Sequence, residues 1–185
     1  GNRLLQTLED SLSFDLSDEI IGATKGDISS SESINAALDG IEGVVHMAAV
    51  SRVSDCDMDP QNCVNVNIMG TLNVLDAAVK NNLKWVAFVS TGEVEWIQND
   101  SIKSFYQVNN LYGVTKVAGE LLLEVYSKKY NMNSAVLRIS SVVFGGVTDN
   151  QNKVFPLFLR KALRNEPIKI NDSSSRWDFI HVDQV

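Results

Sequence analysis

Tyr112-Gly-Val-Thr-Lys116, preceded by Ser90-Thr91 at the end of an apolar run, gathers the residue types that move a proton on and off an alcohol. A Tyr and a Lys four positions apart on a helix share one face, a turn from each other. A free tyrosine has a pKa near ~10 and is a poor base at neutral pH. An ammonium one turn away favours the phenolate, as does any other cation in the same site. The Thr91 hydroxyl can then hold a substrate oxygen between itself and the phenol while a hydride leaves the adjoining carbon. A Y-x3-K pair by itself is common on helices, where it usually means a solvated Lys beside a half-buried Tyr. The neighbourhood adds weight. Residues 84–90 (Lys-Trp-Val-Ala-Phe-Val-Ser) read as a short buried strand with Ser90 and Thr91 at its carboxyl end, and ligands of open α/β sheets sit at that end.

Holding those side chains in place requires strands alternating with helices, and the chain supplies them. Leu4, Leu5 and Leu8 fall at helical spacing, and a short strand over Ser11 to Leu16 ends near Asp15. Ile20 to Ile28 supplies another strand, closing at Gly26-Asp27-Ile28. Ser31-Glu32-Ser33 caps a helix through Ala36, Ala37 and Leu38, and Gly40 stops it. Gly43 to Ala49 is an apolar strand running into small residues; His46 within it is expected to be packed and hydrogen-bonded, with structural weight only. A helix follows from about Pro60 to Asn81, with Val64, Asn67, Ile68, Leu72, Leu75 and Val79 on one broad face. After the strand ending at Thr91 come a polar loop, a helix from Tyr112 to Tyr130 and a strand from Ser134 to Ser141. A helix over Phe155 to Asn165, a short extended piece over Pro167 to Ile170 and a strand over Phe179 to Val182 complete the order. The strands are continuous apolar runs, which indicates a parallel sheet buried on both faces. The pattern predicts a doubly wound α/β layer.

The length of 185 residues suffices for a sizeable core, and the composition, 44% hydrophobic and 21% charged, is that of an ordinary globule. A net charge of −7 without any basic run argues against nucleic acid as a partner. No stretch approaches ~18 consecutive apolar residues, so no membrane span is expected. Cys56 and Cys63 match no zinc spacing and only two His occur, so no metal site is expected. Reduced thiols in a cytoplasmic protein are the expectation. The chain starts at Gly1 without Met and closes just after an apolar strand, and it reads as a fragment of a longer protein.

The ordered motifs resemble the extended short-chain dehydrogenase/reductases, specifically the NAD-dependent epimerase/dehydratase group. Gly26-Asp27-Ile28 resembles that family's strand-3 aspartate, which meets the adenine, and His46-Met-Ala48-Ala49 its H-x-A-A strand beside the dinucleotide. Asn67-Ile-Met-Gly70-Thr71 is similar to its N-x-x-G-T segment, while Ser90-Thr91 and Tyr112-x3-Lys116 fill its catalytic positions. Leu137-Arg138 with Val143-Phe144-Gly145, and Arg176-Trp-Asp-Phe-Ile-His-Val-Asp183, resemble its late signatures. The resemblance implies a Rossmann-like NAD-binding domain over 1–145 and the start of a substrate-binding region over 146–185. It makes Tyr112 the acid/base, Lys116 its modifier and a donor to the nicotinamide ribose, and Thr91 the holder of the substrate hydroxyl. NAD would meet Gly1, Asp15, Asp27, Ile28, Ala48, Ala49, Asn67, Tyr112 and Lys116; the substrate, a nucleotide-diphosphate sugar, would meet Thr91, Glu93, Ser141 and Arg176. A homodimer through the helices holding Asn67 and Tyr112 is also implied.

The implied reaction is epimerisation, by transient oxidation of a sugar hydroxyl. Some residues depart from the pattern. The Gly-rich fingerprint is missing, with Gly1 standing as its third glycine, so the fragment alone is expected to bind NAD weakly and to be inactive. Asp15 falls closer to Gly1 than the ribose-binding acid usually does; as that acid it would favour NAD over NADP, and the alternative reading is a turn aspartate. Thr91-Gly92-Glu93-Val94 resembles the T-D-E-V of dehydratases and decarboxylases, where the Glu assists elimination or loss of carbon dioxide, but Gly92 replaces their Asp. Glu93 is read as a polar loop residue; a nucleotide-sugar dehydratase or decarboxylase using Glu93, a carbonyl reductase, and an NAD-binding module without chemistry are the alternatives. The loop residues Val94-Glu95-Trp96, the position of Arg176 and the spacing after Ser141 also differ from the usual pattern.

Overall fold

Strands alternate with helices over much of the described chain, and several strand exits lead through small or polar residues into a helix. The computed structural model describes residues 10–16, 23–92, 94–99, 102–139, 142–145, 154–170, 174 and 179–184. The helix expected around Leu4, Leu5 and Leu8, and the opening of the Ile20 strand, lie outside them. Contacts divide the chain into two units, Gly1–Arg138 and Ile139–Val185. The first runs β1 (Ser13–Asp15), β2 (Ala23–Lys25), α1 (Ser31–Ala37), β3 (Gly43–His46), α2 (Val53–Met58) and α3 (Pro60–Val64). A π-helical segment over Asn65–Met69 joins α3 to α4 (Gly70–Lys80). Then come β4 (Trp85–Thr91), β5 (Glu95–Asn99), β6 (Ile102–Gln107), α5 (Leu111–Tyr130) and β7 (Asn133–Ile139). The second unit holds β8 (Val142–Phe144), α6 (Val154–Leu163), β9 (Phe179–His181) and a 3-10 turn over Val182–Gln184.

β1 pairs in parallel with β2, β3 with β4, and β8 with β9; β7 flanks β4 in the order β3-β4-β7. In the β3/β4 pair Gly43 stands opposite Trp85 and His46 opposite Phe88, so both strands deliver their carboxyl ends to one edge. The core lies between these strands and their helices. Ile28, Ile34 and Leu38 meet Val74, Leu75, Ala77 and Ala78 of α4, and Val86, Phe88 and Leu123 join from β4 and α5. Caps fix the helix starts. Ser30 accepts from the Ser33 amide at 3.2 Å, Asp59 from Asn62 at 3.0 Å ahead of Pro60, and Asn110 from Gly113 at 2.7 Å. α5 ends on Asn131 at φ 52°, a left-handed residue of the kind that closes helices.

Four features correct the sequence reading. Residues expected to be a polar loop form an antiparallel hairpin, with Glu95 opposite Gln107 and Asn99 opposite Ile102. Its aromatic and β-branched residues on either side of Asn99-Asp-Ser carry the hairpin signal that the polar residues obscured. α2 was not anticipated, since its short polar sequence buries only Cys56 and shows no helical periodicity. Residues 167–170 form no regular element. Finally, Cys56 and Cys63 are bonded to each other, with Cα atoms 5.0 Å apart, rather than being free thiols. α2 and α3 fold back so that both cysteines are fully buried side by side, which spacing alone does not reveal. The cysteines therefore no longer support a reducing compartment.

Candidate active site

Tyr112 and Lys116 open α5, and the Asn110 cap fixes the first turn on which Tyr112 stands. Tyr112 is half-buried; Lys116 is 3% exposed. α5 approaches β4 closely because Gly119 has no side chain: a Cβ there would stand 2.5 Å from the ring of Phe88. That approach lays the Lys116 ammonium 4.5 Å from the centroid of the same ring. Among the described residues the ammonium has no hydrogen-bond partner. Burial pulls its pKa down from 10.5 to about 8, and the nearby Glu120 carboxylate opposes part of that fall.

Thr91 ends β4 and is buried, and its carbonyl accepts from the Val94 amide at 3.3 Å. Asn67 lies on the π-helical segment and is 2% exposed. Its amide oxygen accepts from the Val50 N–H at 2.7 Å, while its amide nitrogen donates to the Val50 carbonyl at 3.1 Å and to the Thr115 hydroxyl at 2.9 Å. Thr115 in turn donates to the Tyr112 carbonyl at 2.7 Å. Asn67 thereby ties the loop after β3 to the first turn of α5. The wider π-helical turn brings this side chain inward without ending the helix.

His46 is packed and hydrogen-bonded, as its apolar strand predicts. The Thr71 hydroxyl gives its proton to the Asn67 carbonyl at 2.6 Å, so it accepts from His46 Nε2 at 2.9 Å. The imidazole is neutral: burial first, and then the Lys116 charge, push its pKa down to about 3.

The remaining predicted positions that are described fall at strand exits. Asp15 ends β1, and its carbonyl accepts from the Gly26 amide at 2.8 Å. Asp27 accepts from the Ser29 amide at 2.8 Å and shapes the turn after β2, whereas Ile28 is buried in the core. Ala48 is exposed; Ala49 lines an open groove of about 600 Å³ with Val50, Ser51, Arg52 and Asn62. Gly1, Glu93, Ser141 and Arg176 lie outside the described residues.

One cluster escaped the sequence reading. Glu120, 5% exposed, accepts from the Ser90 hydroxyl at 2.5 Å and from Arg138 Nε and Nη2 at 2.9 and 2.6 Å. Its signal is a Glu one turn beyond Lys116, on the helix face that Tyr112 and Lys116 occupy. Among the described residues no cluster of three His, Cys, Asp or Glu side chains is placed to hold a metal, and no helix is long and apolar enough to cross a membrane.

A model of the NAD dependent epimerase/dehydratase family matches residues 6–185. The UDP-glucose 4-epimerase of Rickettsia canadensis (strain McKiel) is 30% identical over 161 residues, which are 86% of this chain and 43% of that protein. The chain thus spans less than half the length of that relative. The crystal structure of UDP-glucose 4-epimerase from Thermotoga maritima with UDP-glucose matches with a TM-score of 0.81 and 24% identity, covering 98% of this chain and 64% of that one. A double mutant of dTDP-glucose 4,6-dehydratase from Streptomyces venezuelae, with NAD bound, matches at 0.74 and 24%, covering 90% and 52%. These two likenesses establish the doubly wound, Rossmann-like α/β fold. With nearly its whole length matched by the family model, the chain belongs to the NAD dependent epimerase/dehydratase family.

Proposed function

We propose that the protein containing this chain is an NAD-dependent nucleotide-sugar epimerase that oxidises a sugar hydroxyl transiently, with Tyr112 as acid/base. The observation that carries this reading is the buried Lys116 ammonium, one helical turn from Tyr112 and without a hydrogen-bond partner among the described residues. NAD is the family's cofactor, and the residues present fit it: among the described residues nothing takes up the Lys116 donors, which are left for a ribose. Asp15, Asp27, Ile28, Ala48 and Ala49 would hold the rest of it at the strand exits, with Asn67 on the π-helical segment, bonded to Val50 next to Ala49. When bound, NAD supplies the hydride acceptor.

The chain's own residues handle the proton. Thr91 holds the sugar oxygen, and Tyr112 takes its proton as the carbon is oxidised. A phenol with a pKa near ~10 needs about 4 kcal/mol of preferential phenolate stabilisation to work near pH 7. The ammonium of Lys116 supports the phenolate in a site where neighbouring His46 stays neutral and adds no second charge. Once the oxidised sugar presents its other face, Tyr112 returns the proton. The substrate class, a nucleotide-diphosphate sugar, follows the relatives, among them the UDP-glucose 4-epimerase of Rickettsia canadensis. A homodimer is part of the same reading. Val114, Leu121 and Val125 form an exposed apolar stripe on the face of α5 opposite Lys116.

Site variants of the full-length protein test the reading. Tyr112→Phe should lose about 10²–10⁴-fold in turnover at near-native stability, since the ring and its packing remain. Glu93→Gln should lose little. A 4-keto-6-deoxy sugar formed by the wild type and absent in Glu93→Gln would instead make the protein a dehydratase, and full turnover in Tyr112→Phe would remove the proposed base.

A further inference from the structure

The Glu120 cluster has no part in the proton transfer described above, yet it touches two of the elements that perform it. Tyr112, Lys116 and Glu120 recur every four residues along α5, so they form one inward stripe. The Glu120 carboxylate is buried and takes three hydrogen bonds, one from Ser90 on β4 and two from Arg138 on β7. A buried carboxylate without partners is strongly unfavourable, so the three elements are held to one arrangement. Ser90 is the residue before Thr91, so its bond fixes the end of β4 where the substrate oxygen is to be held. This polar tie acts beside apolar packing, in which Gly119 and the Lys116 ammonium lie against Phe88. Packing of that kind resists separation of helix and strand but allows sliding; a directed hydrogen bond to a buried charge does not.

We infer that Glu120 is a positioning residue: clamped by Ser90 and Arg138, it sets the register of α5 on β4 so that Tyr112 and Lys116 face Thr91. The inference rests on the Tyr112 reading of the function. Ser90→Ala removes the strand's half of the clamp and leaves the Glu120–Arg138 ion pair intact, which makes it the milder variant. Glu120→Gln keeps an acceptor for Ser90 and removes the charge that pairs with Arg138.

Steady-state kinetics of the full-length protein should show kcat down about 10- to 100-fold in each variant, the scale of a small misplacement of reacting groups. KM for a UDP-hexose should stay within a factor of about 2, because binding contacts are untouched. The Ser90→Ala/Glu120→Gln double variant should lose clearly less than the product of the two single losses, because the changes open the two halves of one clamp. Unchanged kcat in folded Ser90→Ala and Glu120→Gln, with Tyr112→Phe inactive, overturns the inference and leaves the Tyr112 chemistry standing. The inference fails equally if only the melting temperature falls, or if the loss lies in KM alone. Should Glu120→Gln not fold, Ser90→Ala decides by the same criteria. Full turnover in Tyr112→Phe removes the underlying function and the inference with it.

Discussion

Burying the Lys116 ammonium works against the stability of the fold. Its pKa lies at about 8, against 10.5 for an ordinary lysine, and the gap corresponds to roughly 3 kcal/mol. The sign follows from linkage. Below pH 8 the lysine is protonated in both folded and unfolded chains, and the full penalty applies. As pH rises from 8 to 10.5 the folded protein sheds its proton first, so stability recovers and the penalty vanishes above 10.5. Lys116→Met, of similar length and without charge, should therefore stabilise the protein by up to about 3 kcal/mol at pH 7, less the lost contact with Phe88. The gain should shrink toward zero near pH 10.5, measured by urea unfolding at both values. Equal unfolding free energies of the two proteins at pH 7 would show that burial does not strain this charge.

Between β3 and α4 the backbone is pinned at several points. Cys56 and Cys63 join α2 to α3, and the Asn67 amide nitrogen lies 3.6 Å from Cys63 Sγ while its other bonds reach Val50 and Thr115. The cysteines are seven residues apart, and a crosslink closing so short a loop is worth about 2–3 kcal/mol on chain-entropy grounds. Reduction should lower the unfolding free energy of the protein by that scale, read from the shift of its urea midpoint. A Cys56→Ala/Cys63→Ala variant should be insensitive to reductant, and a wild type equally insensitive would show that the crosslink contributes nothing. Polar residues mark a loop on average, but the β-branched and aromatic residues on either side of Asn99-Asp100-Ser101 belong to two strands, β5 and β6, that pair with each other.

At the scale of the molecule, α5 has two working faces. Lys116, Gly119, Glu120 and Leu123 turn inward, while Val114, Leu121 and Val125 stay 45–58% exposed. Apolar residues on one outward stripe of a long helix suit a helix-to-helix contact with a second copy. Leu121→Arg should convert a dimeric full-length protein to a monomer in sedimentation velocity, with secondary structure unchanged. A wild type that sediments as a monomer at micromolar concentrations, where an interface of ordinary size holds, removes the dimer from the proposal.

Periodicity and order determined most of the architecture in advance. Short apolar strands, capped helices and the placement of Tyr112, Lys116, Thr91 and Asn67 are local or repeat-based signals, and each is written in neighbouring residues. They were enough to predict the parallel α/β layer, and the family followed from the resemblance of the ordered motifs. What only the tertiary structure decided depends on residues far apart in the chain. The Ser90–Glu120–Arg138 clamp spans three elements, the Asn67–Thr115 bond bridges 48 positions, and His46 is held neutral by burial and by a lysine on another element. Sequence spacing carries no information on which side chains meet across a packed layer. Burial and the partners it brings together set the charge states there, and they exist only once the strands and helices have docked.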